Sequence, residues 1–398
     1  MHYSRHPPMR FVQFSDCHLG SAGSSSLALP DEKNAILRDD IRDSVKAACR
    51  IAKENMAHLV LIPGDVFDFE LLKPEITSFL IDLLESLAPT PVFIAPGNHD
   101  GLRPGSPYMP ASDISWPNNV HIFTTQNFES VAVRELDCTI TGVAHVHRGI
   151  TDRLLSERIS RADAPINLLI FHGSREGFRP SDKEYVIPFS DQELANQGFT
   201  YAAIGHYHSF STITNRDGQI IGAYSGCTQG RGLDETGDKI AILGEINSSG
   251  SVSLKPIVIC RRRIISVDVD VTGAKSDESV LQRVAQRLDK SEAREEDIVC
   301  ISLIGTLSPL VELSAIDREF SSRYFHVRIS RSRLTPDYDI EALLVDSAAA
   351  PLRSAFVRKM LERKNSTSDP EELATIDDAI YYGLSALDGR PLEPRDVD

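Results

Sequence analysis

The amino-acid sequence predicts an α/β fold, and two observations support this assignment. Short apolar segments alternate with segments of helical periodicity through the first 260 residues. Several of the apolar segments end in a small residue or glycine, followed by Asp, His or Asn. In open α/β sheets the ligand crevice lies at the carboxyl ends of the strands, so these polar residues are expected to meet at one edge.

The elements of this first region follow from local patterns. Five apolar strands lead to the polar residues: Arg10–Ser15, His58–Pro63, Pro91–Ala95, Ile166–Phe171 and Tyr201–Ile204. Helical spacing predicts a helix over Asp39–Asn55, and Pro74 suits the first turn of another that runs to Leu87. Strands and turns follow, with strands predicted at Ser211–Asn215, Ile220–Tyr224, Lys239–Ile246 and Ser253–Cys260. Asp217-Gly218 is a typical hairpin turn between the first two of these strands.

A second, small α/β region is predicted from residue 261. Its strands are Ile264–Val271, Ile298–Ile304 and Phe325–Ile329, with a helix over Val280–Leu288. Helices are then predicted over Leu352–Leu361, which has an apolar face, and over Glu371–Leu384. The sequence therefore predicts three parts: residues 1–260, residues 261–350, and a helical segment 351–398 that ends in an acidic tail.

The charge of the chain is negative and unevenly distributed. The 398 residues carry a formal net charge of −15, which argues against a protein that coats nucleic acid by bulk positive charge. Residues 261–368 are close to neutral and contain clustered arginines, whereas the regions before and after them are acidic. A nucleic-acid surface is therefore expected only in that middle stretch.

Cysteine usage and hydropathy predict a cytoplasmic protein. The six cysteines are scattered and form no Cys-x-x-Cys pair, so we expect reduced thiols. The first residues lack the apolar core of a signal peptide. No apolar run reaches the ~20 residues that span a bilayer, so no membrane association is expected.

Seven residues at the predicted strand ends form a candidate metal-ligand set. They combine oxygen and imidazole donors without a thiolate: Asp16, His18, Asp65, Asn98, His172, His206 and His208. Such donors suit Mn, Fe(II), Co or Zn. Seven ligands are too many for one tetrahedral ion and fit two ions that share a carboxylate. Asp65, directly after Gly64, is the expected bridge.

Two further residues are predicted to act on the substrate. His99 adjoins Asn98, and because adjacent residues generally cannot face the same ion, His99 is expected to face the substrate as a general acid. Asp68 lies three residues after Asp65 and is expected to orient and charge His99 through a hydrogen bond. These roles predict attack of a metal hydroxide on a phosphate, with His99 protonating the leaving oxygen.

Each motif alone has a simpler structural explanation. Asp16-x-His18 is typical of surface or capping residues, Gly64-Asp65 of a turn, and a single histidine such as His172 of a protein core. Their joint occurrence, in order and each at a strand end, favours a site. His145-x-His147 repeats a ligand spacing, but the set is complete without it, so it is expected to lie outside. Cys17 is expected to face away from its ligand neighbours by alternation.

Five segments carry a resemblance to a known family: Asp16-Cys17-His18-Leu19-Gly20, Gly64-Asp65-Val66-Phe67-Asp68, Gly97-Asn98-His99-Asp100, His172-Gly173 and Gly205-His206-Tyr207-His208. In this order they resemble the motifs of the calcineurin-like metallophosphoesterase superfamily. Within it, the chain resembles the SbcD-like DNA-repair exonucleases, and especially the bacterial YhaO-type members. The continuations His18-Leu19-Gly20, 224–231 and 235–239 carry this closer likeness.

The resemblance implies a four-layer α/β/β/α sandwich with a small α/β capping domain and C-terminal helices. It implies two divalent ions, with manganese as the expected metal. By motif, one ion is matched by Asp16, His18, Asp65 and His208. The other is matched by Asp65, Asn98, His172 and His206. His99 matches the catalytic histidine and Asp68 its acidic partner.

The family also implies partners. It implies a homodimer and an SbcC-like coiled-coil ATPase, for which the helices after Leu352 would be the docking region. DNA is the implied substrate, and two arginine stretches are candidates for phosphate contacts: Arg261, Arg262, Arg263, Arg328, Arg331 and Arg333. The alternative is that these arginines are solvated surface residues.

The sequence therefore predicts a manganese-dependent phosphodiesterase that hydrolyses DNA, as an exonuclease in DNA repair. One alternative is a phosphoesterase for small substrates, such as cyclic nucleotides, or for phosphoproteins. Another is a non-catalytic scaffold that binds DNA or an ATPase. A scaffold of this kind would be recognised by lost ligands, and no ligand position is missing from the sequence.

Overall fold

The structure of the protein is a computed structural model. It describes residues 8–109, 114–147, 149–178, 184–307, 311, 313–336, 338, 340–345 and 351–389. The chain forms two compact units, residues 1–264 and 265–398. The predicted division into three parts stays a prediction, and residues 390–398 of the predicted acidic tail lie outside the described residues.

The first unit contains twelve described strands and three α-helices. The strands are β1 Met9–Gln13, β2 Leu59–Ile62, β3 Val92–Ile94, β4 Val120–Ile122, β5 Glu129–Val133, β6 Cys138–Gly142, β7 Ile166–His172, β8 Tyr201–Gly205, β9 Ser211–Thr214, β10 Ile220–Tyr224, β11 Ile240–Ile246 and β12 Val252–Val258. The helices are α1 Asp31–Glu54, α2 Pro74–Glu85 and α3 Asp191–Gln197.

The strands form two six-stranded sheets with parallel centres. The first sheet has the order β12-β11-β1-β2-β3-β4, in which β1 to β4 are parallel and β11 and β12 are antiparallel additions. The second has the order β5-β6-β7-β8-β10-β9, with β6, β7, β8 and β10 parallel. The strands β1, β2, β3, β7 and β8 that lead to the predicted ligands are therefore central or next to central.

Apolar packing arranges these elements in four layers. Apolar residues of α1 such as Val45 share one core with β2 and with the inner face of β7, which includes Leu168. The two sheets face each other directly, since the rings of Phe11 and Tyr201 lie 4.9 Å apart. The opposite face of β7 packs with Leu194 of α3 in a second core. The α/β/β/α sandwich is thus confirmed.

Differences from the predicted elements have local causes. α1 begins at Asp31 instead of Asp39: only its first turn is polar, and the buried apolar spacing already starts at Leu37, before the predicted start. The strands β4 to β6 were not predicted, and β5 alternates only between half-buried and exposed positions. The predicted hairpin is confirmed: β9 and β10 are antiparallel, and Gly218 has a φ of +76° in the turn between them.

The second unit has its own sheet and core. Its strands are β13 Ile264–Asp270, β14 Ile298–Leu307 and β15 His326–Pro336, and its helices are α4 Asp277–Asp289, α5 Ser314–Ser321, α6 Ile340–Val345, α7 Pro351–Asn365 and α8 Pro370–Leu387. Strands β14 and β15 are parallel. Val280, Val284 and Leu288 of α4 pack against the sheet, as the helical spacing predicted. Helix α7 contacts α6 and α8.

Two composition-based predictions can be compared with the structure. All six cysteines are buried and free, which agrees with the expected reduced thiols. Among the helices of the described residues, none has both the length and the apolar character that crossing a membrane requires.

Candidate metal centre

The loops after β1 and β2 are joined along their backbones. The Asp16 amide donates to the Gly64 carbonyl at 3.1 Å, and the His18 amide donates to the Asp65 carbonyl at 3.0 Å. Asp16, His18 and Asp65 have positive φ angles of 52°, 47° and 49°. His206 after β8 has a φ of 112°. Non-glycine residues rarely adopt such angles, and where they do they cluster at functional sites.

One group of candidate ligands consists of Asp16, His18 and His208, and we call it the His18 group. Their ligand atoms lie within 4.8 Å of one another. The Nε2 atoms of His18 and His208 are 3.3 Å apart, and His208 Nε2 is 3.7 Å from Asp16 Oδ1. All three side chains are buried. A cation at this point would meet two imidazole nitrogens and a carboxylate oxygen.

A second group surrounds His172 and contains Asp65, Asn98, His172 and His206; we call it the His172 group. Asp65 Oδ2 is 3.2 Å from His172 Nε2, and Asp16 completes a ligand triad with these two residues. The rings of His172 and His206 have centroids 5.2 Å apart. The same oxygen of Asp65 lies 3.9 Å from His18 Nε2. Asp65 therefore faces a histidine of each group, the position that a shared carboxylate would occupy.

Each of the four histidines uses its second ring nitrogen to donate a hydrogen bond. In the His18 group the acceptors are carboxylates: His18 Nδ1 donates to Asp68 at 2.9 Å, and His208 Nδ1 donates to Glu235 at 2.5 Å. In the His172 group they are carbonyls: His172 Nδ1 donates to Pro63 and His206 Nε2 to Glu184, both at 2.9 Å. Metal-ligating histidines in proteins almost always show such outer hydrogen bonds, because these fix the tautomer and ring orientation.

Gly205 makes room for one of these bonds. A Cβ at this position would lie 1.9 Å from the Pro63 carbonyl oxygen and 2.7 Å from His172 Nδ1. Only glycine can therefore occupy the end of β8 while His172 keeps its contact with Pro63.

Two buried atoms of the candidate ligands test whether the residues fit metal ions. Asn98 Oδ1 is buried and has no hydrogen-bond partner among the described residues, and the buried His172 Nε2 lies 3.2 Å from Asp65 Oδ2 without the geometry of a hydrogen bond. An unpaired buried polar atom costs about 1–3 kcal/mol, so each calls for a ligand. One is an amide oxygen and the other an imidazole nitrogen beside carboxylates, so both suit a divalent cation better than a neutral molecule. The residues fit the two-ion centre.

Two of the candidate ligand histidines have pKa values shifted in opposite directions. Burial, together with the nearby Arg231, lowers the pKa of His18 to about 4, so the ring is neutral near pH 7 and can offer a lone pair. Burial also lowers the pKa of His172, but Asp65 outweighs it and raises the pKa to about 9. A cation at this point would compete with the proton on His172 Nε2, because metal ligands must be deprotonated.

His99 and Asp68 form a pair beside the His18 group. His99 Nδ1 donates to Asp68 Oδ1 at 2.8 Å, and the His99 amide donates to Asp65 Oδ1 at 2.9 Å. The His99 side chain is 33% exposed, whereas the ligands are buried. Asp68 uses the same oxygen for His18 and His99. Burial raises the pKa of Asp68, but these two hydrogen bonds lower it well below its usual range.

The sequence did not predict the residues that surround the candidate ligands and form hydrogen bonds or ion pairs with them or with their partners. Arg231 is half-buried and contacts Glu235 at 3.2 Å and Asp68 at 3.7 Å, so it joins the two carboxylates behind His18 and His208. Both Arg231 and Glu235 lie in segments that carried the closer family resemblance, which was the available signal. A buried carboxylate such as that of Glu235 is rare unless it is paired, and Arg231 pairs with it.

Asp100 and Glu184 were missed in the same way. Asp100 accepts backbone N–H groups of Val66 and Gly97, both at 2.7 Å, and so ties the loops after β2 and β3 together. Burial, followed by the charge of Asp65, raises the pKa of Asp100 to about 6. Glu184 accepts a hydrogen bond from Asn98 Nδ2 at 3.0 Å. Asp100 follows His99 in a recognised motif, whereas no sequence pattern indicates Glu184.

The residues expected to lie outside the site do so. His145 is buried and donates to the His172 carbonyl at 2.9 Å, so it supports a ligand's backbone. Cys17 packs in the apolar core, as alternation predicted.

The predicted DNA-contacting arginines have different environments. Arg262 is 7% exposed and pairs with Asp40 at 2.6 Å, so the prediction that it contacts DNA is wrong: its guanidinium neutralises a buried carboxylate. Arg333 is exposed but pairs with Asp268. Arg331 is exposed, with a 3.5 Å contact to the Leu313 carbonyl. The others are exposed or half-buried: Arg261, Arg263 and Arg328.

Comparison with known proteins defines the class of this site. Residues 9–210 match the model of the calcineurin-like phosphoesterase family, and the chain belongs to this family. The family uses a dinuclear metal site, for which the described His and Asp groups are candidate ligands. The predicted family and fold are therefore confirmed, and the protein is a metallophosphoesterase.

Two relatives extend over most of the chain. It is 28% identical over 305 residues to the uncharacterized metallophosphoesterase YhaO of Bacillus subtilis, covering 74% of this chain and 71% of that protein. It is 24% identical over 359 residues to the DNA double-strand break repair protein Mre11 of Thermoplasma acidophilum, covering 85% and 86%. A solved structure, TT1561 of Thermus thermophilus, aligns with a TM-score of 0.35 and 9% identity over 62% of this chain and 98% of its own.

Proposed function

We propose that this metallophosphoesterase is a manganese-dependent phosphodiesterase that hydrolyses DNA, as an exonuclease in DNA repair. The observation that carries the proposal is the His99–Asp68 pair, with a partly exposed His99 ring, beside two buried ligand groups that face Asp65. The similarity to a protein named for double-strand break repair supports DNA as the substrate.

The bound ions would offset phosphate charge and make water nucleophilic near neutral pH. The chain's own residues supply the remaining chemistry. Asp68 accepts the Nδ1 proton of His99, which fixes the ring and favours its protonated form. The His99 backbone donates to Asp65 and its ring donates to Asp68, so the partly exposed ring is held beside the ligand groups. From there it would donate a proton to the leaving oxygen.

His99→Ala tests this role with two substrates of different leaving group. The variant should keep both ions and lose about 10²–10⁴-fold in the hydrolysis of end-labelled duplex DNA with Mn²⁺. It should lose much less with bis(p-nitrophenyl) phosphate, because nitrophenolate leaves without needing a proton. Equal losses on both substrates, with both ions retained, would show that His99 is not the general acid.

The wild-type protein on the same two substrates tests the DNA assignment. We expect cleavage of the duplex from its ends, with release of nucleotides. Hydrolysis of the chromogenic diester alone would favour the small-substrate alternative, in which cyclic nucleotides or phosphoproteins are the substrates. Ion binding without hydrolysis of either substrate would favour a scaffold.

The remaining features belong to the proposal as well. The expected partners are a second copy of the chain and an SbcC-like coiled-coil ATPase docked on the helices after Leu352, and the expected location is the cytoplasm. Adding such an ATPase should raise the rate of duplex cleavage and make it depend on ATP. An unchanged rate would remove the ATPase from the proposal.

A further inference from the structure

Glu184 contacts two members of the His172 group. Its Oε2 accepts a hydrogen bond from Asn98 Nδ2 at 3.0 Å, and its backbone carbonyl accepts one from His206 Nε2 at 2.9 Å. The second contact comes from the main chain, so any substitution at residue 184 can retain it. The first comes from the side chain and is removable by mutation.

The contact with Asn98 determines which end of the amide faces inward. An asparagine amide carries an oxygen that can ligate a cation and an NH₂ group that cannot. Because Nδ2 donates to Glu184, Oδ1 is the atom left buried without a partner among the described residues. The reversed amide would place its oxygen against the Glu184 carboxylate and two N–H donors towards the ligand groups. Glu184 therefore disfavours the orientation that cannot bind metal.

The charge of Glu184 has a separate effect. Hydrogen bonds to ionised acceptors are stronger than neutral ones, and a hydrogen-bonded chain polarises its members. A carboxylate on Nδ2 shifts electron density towards Oδ1 and makes it a better donor to a cation. Orientation needs only an acceptor at residue 184, whereas polarisation needs the negative charge.

We propose that Glu184 is a positioning residue that holds the Asn98 amide oxygen on the metal centre and so sets the affinity of the ion at the His172 group. The inference rests on the two-ion centre of the proposed function and is independent of the DNA substrate.

Calorimetric titration of the full-length, metal-free protein with Mn²⁺ tests this directly. Glu184→Ala should weaken one of the two binding steps about 10- to 100-fold, the range typical for groups that orient metal ligands. Glu184→Gln keeps an acceptor for Nδ2 and should lose less. Glu157→Ala removes an exposed carboxylate whose residue contacts Gln197 through its carbonyl only, and it should change neither step.

A double-mutant cycle separates positioning from a general structural role. In an Asn98→Asp variant both side-chain oxygens are ligands, so no orienting partner is needed and Glu184 becomes a repelling like charge. Glu184→Ala should then leave Mn²⁺ affinity unchanged or raise it. A residue that only stabilises the loop would cost the same affinity in both backgrounds.

Three results would overturn the proposal. They are wild-type affinity for both ions in Glu184→Ala, an equal loss in the wild-type and Asn98→Asp backgrounds, and a wild-type protein that binds a single ion. A protein that binds two ions with the expected Glu184 effects but leaves DNA intact would refute the DNA substrate alone.

Discussion

The two halves of the metal centre are held in different ways. In the His18 group the outer acceptors are the carboxylates of Asp68 and Glu235, which the half-buried Arg231 joins. In the His172 group the outer acceptors of the histidines are main-chain carbonyls. A carboxylate raises the basicity of the imidazole that donates to it, whereas a carbonyl mainly fixes its orientation.

This difference indicates which residues should set the affinity of each group for its ion. The strength of the His18 group depends on side chains that single substitutions can change. The strength of the His172 group depends on backbone geometry, on the space beside Gly205 and on the Glu184 side chain. Substitutions should therefore affect the two ions separately, except at residues that face both groups.

Asp65→Asn should have the largest effect, because one Asp65 oxygen faces a histidine of each group. We expect the loss of both ions and a fall in hydrolysis of more than about 100-fold. This loss exceeds the effect of about 10- to 100-fold that is typical when only a hydrogen-bond partner of a metal ligand is removed. Metal content by mass spectrometry and hydrolysis of the chromogenic diester measure this. Retention of two ions would end the interpretation of Asp65 as the shared carboxylate.

Glu235→Ala should weaken one ion about 10- to 100-fold and leave the other unchanged. The reason is that Glu235 accepts a hydrogen bond from His208, which belongs to the His18 group. Calorimetry with Mn²⁺ resolves the two steps. Glu245→Ala on the exposed face of β11 is a matched control for lost charge. Equal weakening of both Mn²⁺ binding steps would contradict the inference that different residues set the affinities of the two groups.

Gly205→Ala should affect the opposite half. The added Cβ would lie 1.9 Å from the Pro63 carbonyl and must displace the His172 contact. We expect a stability loss of about 1–3 kcal/mol by denaturant unfolding, together with a weaker ion at the His172 group. Gly218→Ala meets no atom within 4 Å in an exposed turn and should lose some stability from its positive φ but no metal affinity. Identical metal binding in both variants would refute the steric explanation.

Reversal of Arg331 and Arg333 to Glu should affect neither half. Both residues are exposed in the second unit. We expect unchanged Mn²⁺ binding and unchanged hydrolysis of the small diester, with duplex affinity reduced several-fold and a weaker salt dependence. Filter binding over a range of salt concentrations measures this. Equal loss of activity on both substrates would remove these arginines from DNA contact.

The candidate ligands and the proposed general acid could be predicted from the sequence because each follows an apolar strand closely. The carboxyl ends of parallel strands meet at one edge of the sheet. A local pattern that marks a strand end therefore also predicts which distant segments come together. The outer partners follow no such rule. Glu184 meets Asn98 across 86 residues, in a segment without a motif.

The wrong prediction for Arg262 has the same origin. Its stretch of three arginines suggests surface charge, but its partner Asp40 lies 222 residues away in α1. Pairing of a buried charge is decided by tertiary packing, which composition does not show. The strands β4 to β6 were missed because their apolar runs are short or interrupted by polar residues, as in Val-His-Ile of β4 and Cys-Thr-Ile-Thr-Gly of β6.

The single Asp68 oxygen shared by His18 and His99 has a kinetic consequence. Two imidazoles and one carboxylate that interact this closely release protons as a unit, with macroscopic constants that belong to the trio. Under the proposed mechanism, one limb of the pH–rate profile should therefore report both the occupancy of the ion at the His18 group and the protonation of His99. Exchanging the proposed manganese for another divalent ion should move that limb even though His99 is not among the candidate ligands.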